Sequence, residues 1–145
     1  TDGQLYDVTY SYDQVTNDES MGCYINLVDR GTNTFVGEKS LAKSLTFGGE
    51  VMFTTFEPTS SSGATSCSPS QGVARLYTLD VEMCAPPGYV PEDGPPEYHP
   101  DPLPPGIPPP PTIIITDDGP VVLVGTKKID KDPERLINKT YWRQN

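Results

Sequence analysis

The chain has little of what most enzymes and nucleic-acid binders are built from: 10 Lys and Arg against 20 Asp and Glu, one His, one Trp and 3 Cys in 145 residues, for a formal charge of -10. An acidic body repels nucleic acid and anionic lipid, so neither is expected as a partner. The lone histidine, His99, lies between Tyr98 and Pro100, has no partner for acid–base work, and reads as a solvent-facing residue. Cys23, Cys67 and Cys84 show neither CxxC spacing nor a Cys–His pairing, which argues against zinc and c-type haem. No apolar run approaches the ~20 residues of a membrane-spanning helix. There is no nucleophile elbow, phosphate loop or H-E-x-x-H, so no catalytic residue, cofactor or metal is expected. Asp117-Asp118 is the one carboxylate pair that invites a catalytic or calcium reading. A tight turn uses such residues anyway, and an EF-hand needs ligands at alternating positions through about twelve residues.

What is present is proline, glycine and short β-like runs. The 17 Pro and 13 Gly make up a fifth of the chain, so the core is smaller than the length suggests. Charge is uneven: residues 1–126 hold 4 Lys or Arg against 17 Asp or Glu, and residues 127–145 hold 6 against 3. The basic tail reads as solvated charge at a terminus, or as a patch for an acidic neighbour. Thr1 opens the chain, Met21, Met52 and Met83 are its only methionines, and no basic-then-apolar leader is visible. A processed chain, or part of a longer protein, is expected. Asn138-Lys139-Thr140 formally fits a glycosylation sequon and carries little weight.

Along the chain, Leu5, Tyr6, Val8 and Tyr10 open a strand without clean alternation, and Cys23 to Val28 makes a second with Ile25 and Leu27 on one face. Asp29 to Asn33 turns the chain. Val51, Phe53, Thr54, Thr55 and Phe56 fit a pleated surface, Gly48-Gly49 makes the turn before them, and Val73, Leu76, Tyr77 and Leu79 form the next strand after a Ser-rich loop. Thr112 to Thr116 and Val121 to Gly125 flank Asp117-Asp118-Gly119, the clearest hairpin signal. Both of its arms are nearly continuous aliphatic runs, so both faces are expected to be covered. The whole reads as an all-β fold of antiparallel sheets, with at most one helical turn near Glu134 to Ile137.

Between these parts, residues 85–111 hold 13 prolines in 27 residues, with four carboxylates and no Lys or Arg. Proline fixes φ and removes a donor, so an extended segment is expected, spanning on the order of 80 Å as polyproline II. Tyr89, Tyr98, Leu103 and Ile107 are the expected anchors laying it along its own sheet or a neighbour, and recognition by an SH3-like partner is the weaker alternative. Near the end, Tyr141 and the single Trp142 are expected to clasp the domain or anchor an interface. The division is therefore 1–84, an antiparallel β region; 85–111, the proline-rich insert; and 112–145, a hairpin and tail closing the sheet. An oxidising compartment implies one disulfide and one further thiol. Cys67 with Cys84 is the expected pair, because it would tie the Ser-rich loop to the end of the following strand. Three separately buried thiols is the alternative.

The series G-E-K from Gly37, F-T-T-F-E-P from Phe53, a loop holding Cys67 and L-Y-T-L-D from Leu76 resembles the C-terminal β-propeller region of PilY-type proteins, the large biogenesis factors and adhesins at type IV pilus tips. The resemblance runs upstream through Gln4-Leu5-Tyr6-Asp7-Val8-Thr9 and Gly22-Cys23-Tyr24-Ile25-Asn26-Leu27. Downstream it takes in Ile113-Ile114-Ile115, Val121 to Thr126 and Thr140-Tyr141-Trp142-Arg143. It covers most of the chain outside the proline-rich insert. Cys23 departs from it, standing where the family usually has tryptophan after glycine. The family's calcium-binding loop has no counterpart here, so calcium control is not carried over.

A propeller blade takes about forty residues and a closed propeller at least about four blades, so the β regions would supply the last one to two blades. What the resemblance implies is a non-catalytic bacterial surface protein in pilus assembly and adhesion, working through other protein chains. A second expectation is a structural subunit of an extracellular filament, whose open strand edges and proline arm pack on identical copies. A secreted hydrolase domain using Asp117 or Asp118 is the minor third.

Overall fold

The computed structural model describes residues 5–9, 22–29, 31–59, 71–89 and 100–131. Among them are ten strands and no helix: β1 (Tyr6–Asp7), β2 (Cys23–Tyr24), β3 (Lys39–Ser40), β4 (Leu45–Phe47), β5 (Glu50–Glu57), β6 (Val73–Asp80), β7 (Asp101–Leu103), β8 (Thr112–Thr116), β9 (Gly119–Val124) and β10 (Lys127–Asp130). The all-β expectation holds. β5 and β6 are the longest and pair antiparallel along their whole length, from Glu50↔Asp80 to Glu57↔Val73. Gly48 and Gly49 take φ of 61° and 79°, the conformation a two-residue turn from β4 into β5 demands. β3 and β4 pair with opposite ends of β5, and β7 adds to the far side of β6.

This central sheet is covered on both faces. Side chains alternate along a strand, so Val51 and Phe53 share a face with Tyr77 and Leu79, while Met52 shares the other with Leu76. The first face is covered by Val8, Cys23, Ile25, Leu27, Cys84, Ala85 and Tyr89. Phe53 and Tyr77 stack across the strands with ring centroids 5.0 Å apart. The second face packs Met52 and Leu76 against Val122 and Val124 of a separate three-stranded sheet ordered β10-β9-β8. The second layer therefore comes from the C-terminal part of the described chain, and the first from its N-terminal part together with the segment after β6.

Two local expectations are revised. β1 and β2 are only two residues each and run parallel, not antiparallel. The Asp7 carboxylate takes the Thr9 N–H and hydroxyl, and such local capture competes with strand pairing. The disulfide joins Cys23 to Cys84, not Cys67 to Cys84. Cys84 has φ 56° and donates its N–H to the Asp80 carbonyl, so the turn after β6 curls back under the first face, where β2 brings Cys23 to a Cα separation of 6.3 Å. Cys67 lies outside the described residues. Within the proline-rich segment, β7 pairs with β6, so Leu103 lies along the chain's own sheet. Pro102 is tolerated because β7 is an edge strand, where one missing donor costs no ladder.

Gly72, just before β6, has φ 65°, and a Cβ there would fall on the Phe56 ring and 2.7 Å from the Glu57 carbonyl. Gly72→Ala combines left-handed strain with overpacking and is expected to destabilise the fold by roughly 2–4 kcal/mol. A change below about 1 kcal/mol in urea unfolding would show that the hairpin entry can shift to make room.

Candidate functional site

The most organised polar group lies on the first face, in a row across three segments. Glu38 follows Gly37, whose φ of 83° turns the chain into β3, and its side chain is 4% exposed. Thr55 donates to Glu38 Oε1 at 2.5 Å and the Tyr77 hydroxyl donates to the same oxygen at 3.1 Å. Arg75, directly opposite Thr55 in the ladder, places Nη1 3.2 Å from Glu38 Oε2 and Nη2 2.7 Å from Glu57 Oε2. The Nη1 contact is an ion contact, not an aligned hydrogen bond. Burial opposes the Arg75 charge, but the hydrogen bond to Glu57 and the charges of Glu38 and Glu57 outweigh it and hold the guanidinium above its ordinary pKa.

Chemically this cluster is closed. Both Glu38 oxygens are engaged, so neither is free to take a substrate proton, and the group binds three segments together. A second polar tie, between Glu50 and Lys131, joins the two sheets on the opposite face, and Thr54 donates to the Pro109 carbonyl at 3.3 Å. At the N-terminal layer, Asp7 accepts from Thr9 and from the Asn26 side chain. The Thr9 hydroxyl is the main reason its carboxyl titrates below the ordinary aspartate value, against a smaller opposing effect of burial.

Two open features stand out among the described residues. One is a groove of about 220 Å³ between the proline arm and the end of β9, lined by Leu103, Pro105, Ile107, Pro109 and Val124 among others. The other is the outer edge of β8. There Ile114 is 45% and Ile115 77% exposed, so this hairpin arm is not covered on both faces as its sequence led us to expect. β9, the other arm, is buried at Val121, Val122 and Val124.

The expected anchors divide. Leu103 packs into the Met52–Leu76 cluster and Tyr89 against the Val8–Tyr77 cluster, so both tie down their own chain. Ile107, 70% exposed at the groove, remains available to a partner. Tyr98, His99, Tyr141, Trp142 and the expected helical turn lie outside the described residues. Asp117 and Asp118 are exposed in the β8–β9 turn, and no group of metal-ligating side chains occurs among the described residues. No helix there is long and apolar enough to cross a membrane. Sequence reasoning passed over the Glu38–Arg75 cluster. Its visible signal was Arg75 itself, the one cation in an otherwise uncharged stretch, Val73 to Leu79.

No protein-family profile, curated protein or solved structure matches the chain.

Proposed function

We propose that the chain is a non-catalytic part of a PilY-type bacterial surface protein, acting in type IV pilus assembly and adhesion through contacts with other protein chains. The observation that carries this reading is where the resembling motifs meet. Glu38 comes from G-E-K, Thr55 and Glu57 from F-T-T-F-E-P, and Tyr77 from L-Y-T-L-D, with Arg75 just ahead of it, and together they form the buried cluster. Motifs that are scattered in sequence but interlock in space behave as one structural unit, which favours kinship over chance similarity of short strings. The Cys23–Cys84 disulfide supports an oxidising compartment outside the cytoplasm.

The test is genetic and microscopic. Deleting the coding region in the source bacterium is expected to reduce surface pili, twitching motility or adhesion, and gold-labelled antibody raised against the chain is expected to mark pili or the cell surface. Unchanged piliation, motility and adhesion, together with label confined to the cytoplasm, would overturn the assignment.

A further inference from the structure

Sheet edges expose unpaired backbone groups, and soluble proteins normally blunt them with charge, proline or brevity. The described edges follow that rule with one exception. β3 is two residues long and carries Lys39, and β4 is three residues long. β7 carries Asp101 and Pro102, with Lys127 set against both. β10 reads Lys127-Lys128-Ile129-Asp130, charged at three of its four positions. β8, Thr112-Ile113-Ile114-Ile115-Thr116, has no charge and no proline, and among the described strands it pairs only with β9.

Backbone directions along β8 follow from its neighbours. The Lys131 N–H donates to the Pro120 carbonyl, so the Pro120 backbone faces β10. Val121 then faces β8, where its ladder partner is Ile114. By alternation, Ile113 and Ile115 turn their amides and carbonyls to the open side. The strand also reads the same in both directions, Thr-Ile-Ile-Ile-Thr.

We propose that the outer edge of β8 is a self-pairing interface that joins two copies of this chain antiparallel about a two-fold axis at Ile114. Ile113 of each copy then faces Ile115 of the other and exchanges both backbone hydrogen bonds with it, while Thr112 faces Thr116. Ile114 faces its own counterpart as a non-hydrogen-bonded pair. Charge selects the direction. Parallel pairing would set Asp117-Asp118 of the two copies side by side, whereas antiparallel pairing sends them to opposite ends of the joint. Because the contact is isologous it closes on itself, giving a dimer with a continuous sheet β10-β9-β8-β8-β9-β10. A filament would need a second unblunted edge, and the described strands offer none. This inference stands independently of the pilus assignment.

The purified full chain is expected to approach twice the chain mass in sedimentation equilibrium as its concentration rises. Ile114→Lys sets like charges face to face and is expected to raise the dimer dissociation constant at least about tenfold. Register is read separately by cross-linking in a Cys67→Ser background under oxidising conditions. A non-hydrogen-bonded pair has Cα atoms about 4.5 Å apart, within the ~4.4–6.8 Å a disulfide spans. Ile114→Cys should therefore give a covalent dimer on non-reducing gels, and Ile115→Cys, which faces Ile113, at least about tenfold less. A chain that stays monomeric throughout, a dimer indifferent to Ile114→Lys, or equal cross-linking at the two positions would each overturn the proposal.

Discussion

Arg75→Ala is expected to lower stability by about 3–5 kcal/mol, because it leaves one carboxylate buried and another half-buried without their shared cation. Glu38 is 4% exposed and would keep only the Thr55 and Tyr77 hydroxyls as partners. For a domain of this size that corresponds to a fall in melting temperature on the order of 10 °C, measurable by circular dichroism. Adding Glu38→Gln to Arg75→Ala should restore part of the loss by removing the orphaned charge. A shift under about 2 °C for Arg75→Ala alone would mean that water reaches the cluster and that it contributes little.

Reduction of the Cys23–Cys84 disulfide, or Cys84→Ser, is expected to cost about 4 kcal/mol. The bond closes a loop with a sequence separation of 61, and the chain-entropy relation for a loop of that length gives roughly that figure. Both cysteines also pack in the layer over the first face, so Cys84→Ser brings a hydroxyl into the Val8–Tyr77–Leu79 cluster. The comparison is urea unfolding with and without reductant. The midpoint should fall steeply on reduction. Identical curves would show that Val8, Ile25 and Leu27 hold the N-terminal layer without covalent help.

The central strand pair was legible in the sequence because Val51 to Phe56 and Val73 to Leu79 are rich in β-branched and aromatic residues, with Gly48-Gly49 at the turn into the first of them. The β8–β9 hairpin was legible from Asp117-Asp118-Gly119. Two things were not. Local pattern does not encode which cysteine a turn will face, and Cys84 meets Cys23 only because the chain reverses after β6. Nor does an aliphatic run announce whether it is interior or edge. Ile113-Ile114-Ile115 and Val121-Val122-Leu123 look alike, yet among the described strands β9 has neighbours on both sides and β8 on one. Glu38 and Arg75 lie far apart in sequence, and only the register of β3, β5 and β6 brings them into one row. The candidate site therefore depended on topology, and the strands themselves on composition.

The covalent bond between β2 and the turn after β6 also sets a path for mechanical load. Traction on the two ends of the chain passes from Cys23 straight to Cys84, so everything from β3 to β6 is enclosed in a loop that bears no tension. Only the segments outside that loop can extend. A pulling experiment should register lengthening from the flanks alone, with the β5–β6 hairpin spared until a reductant opens the shortcut.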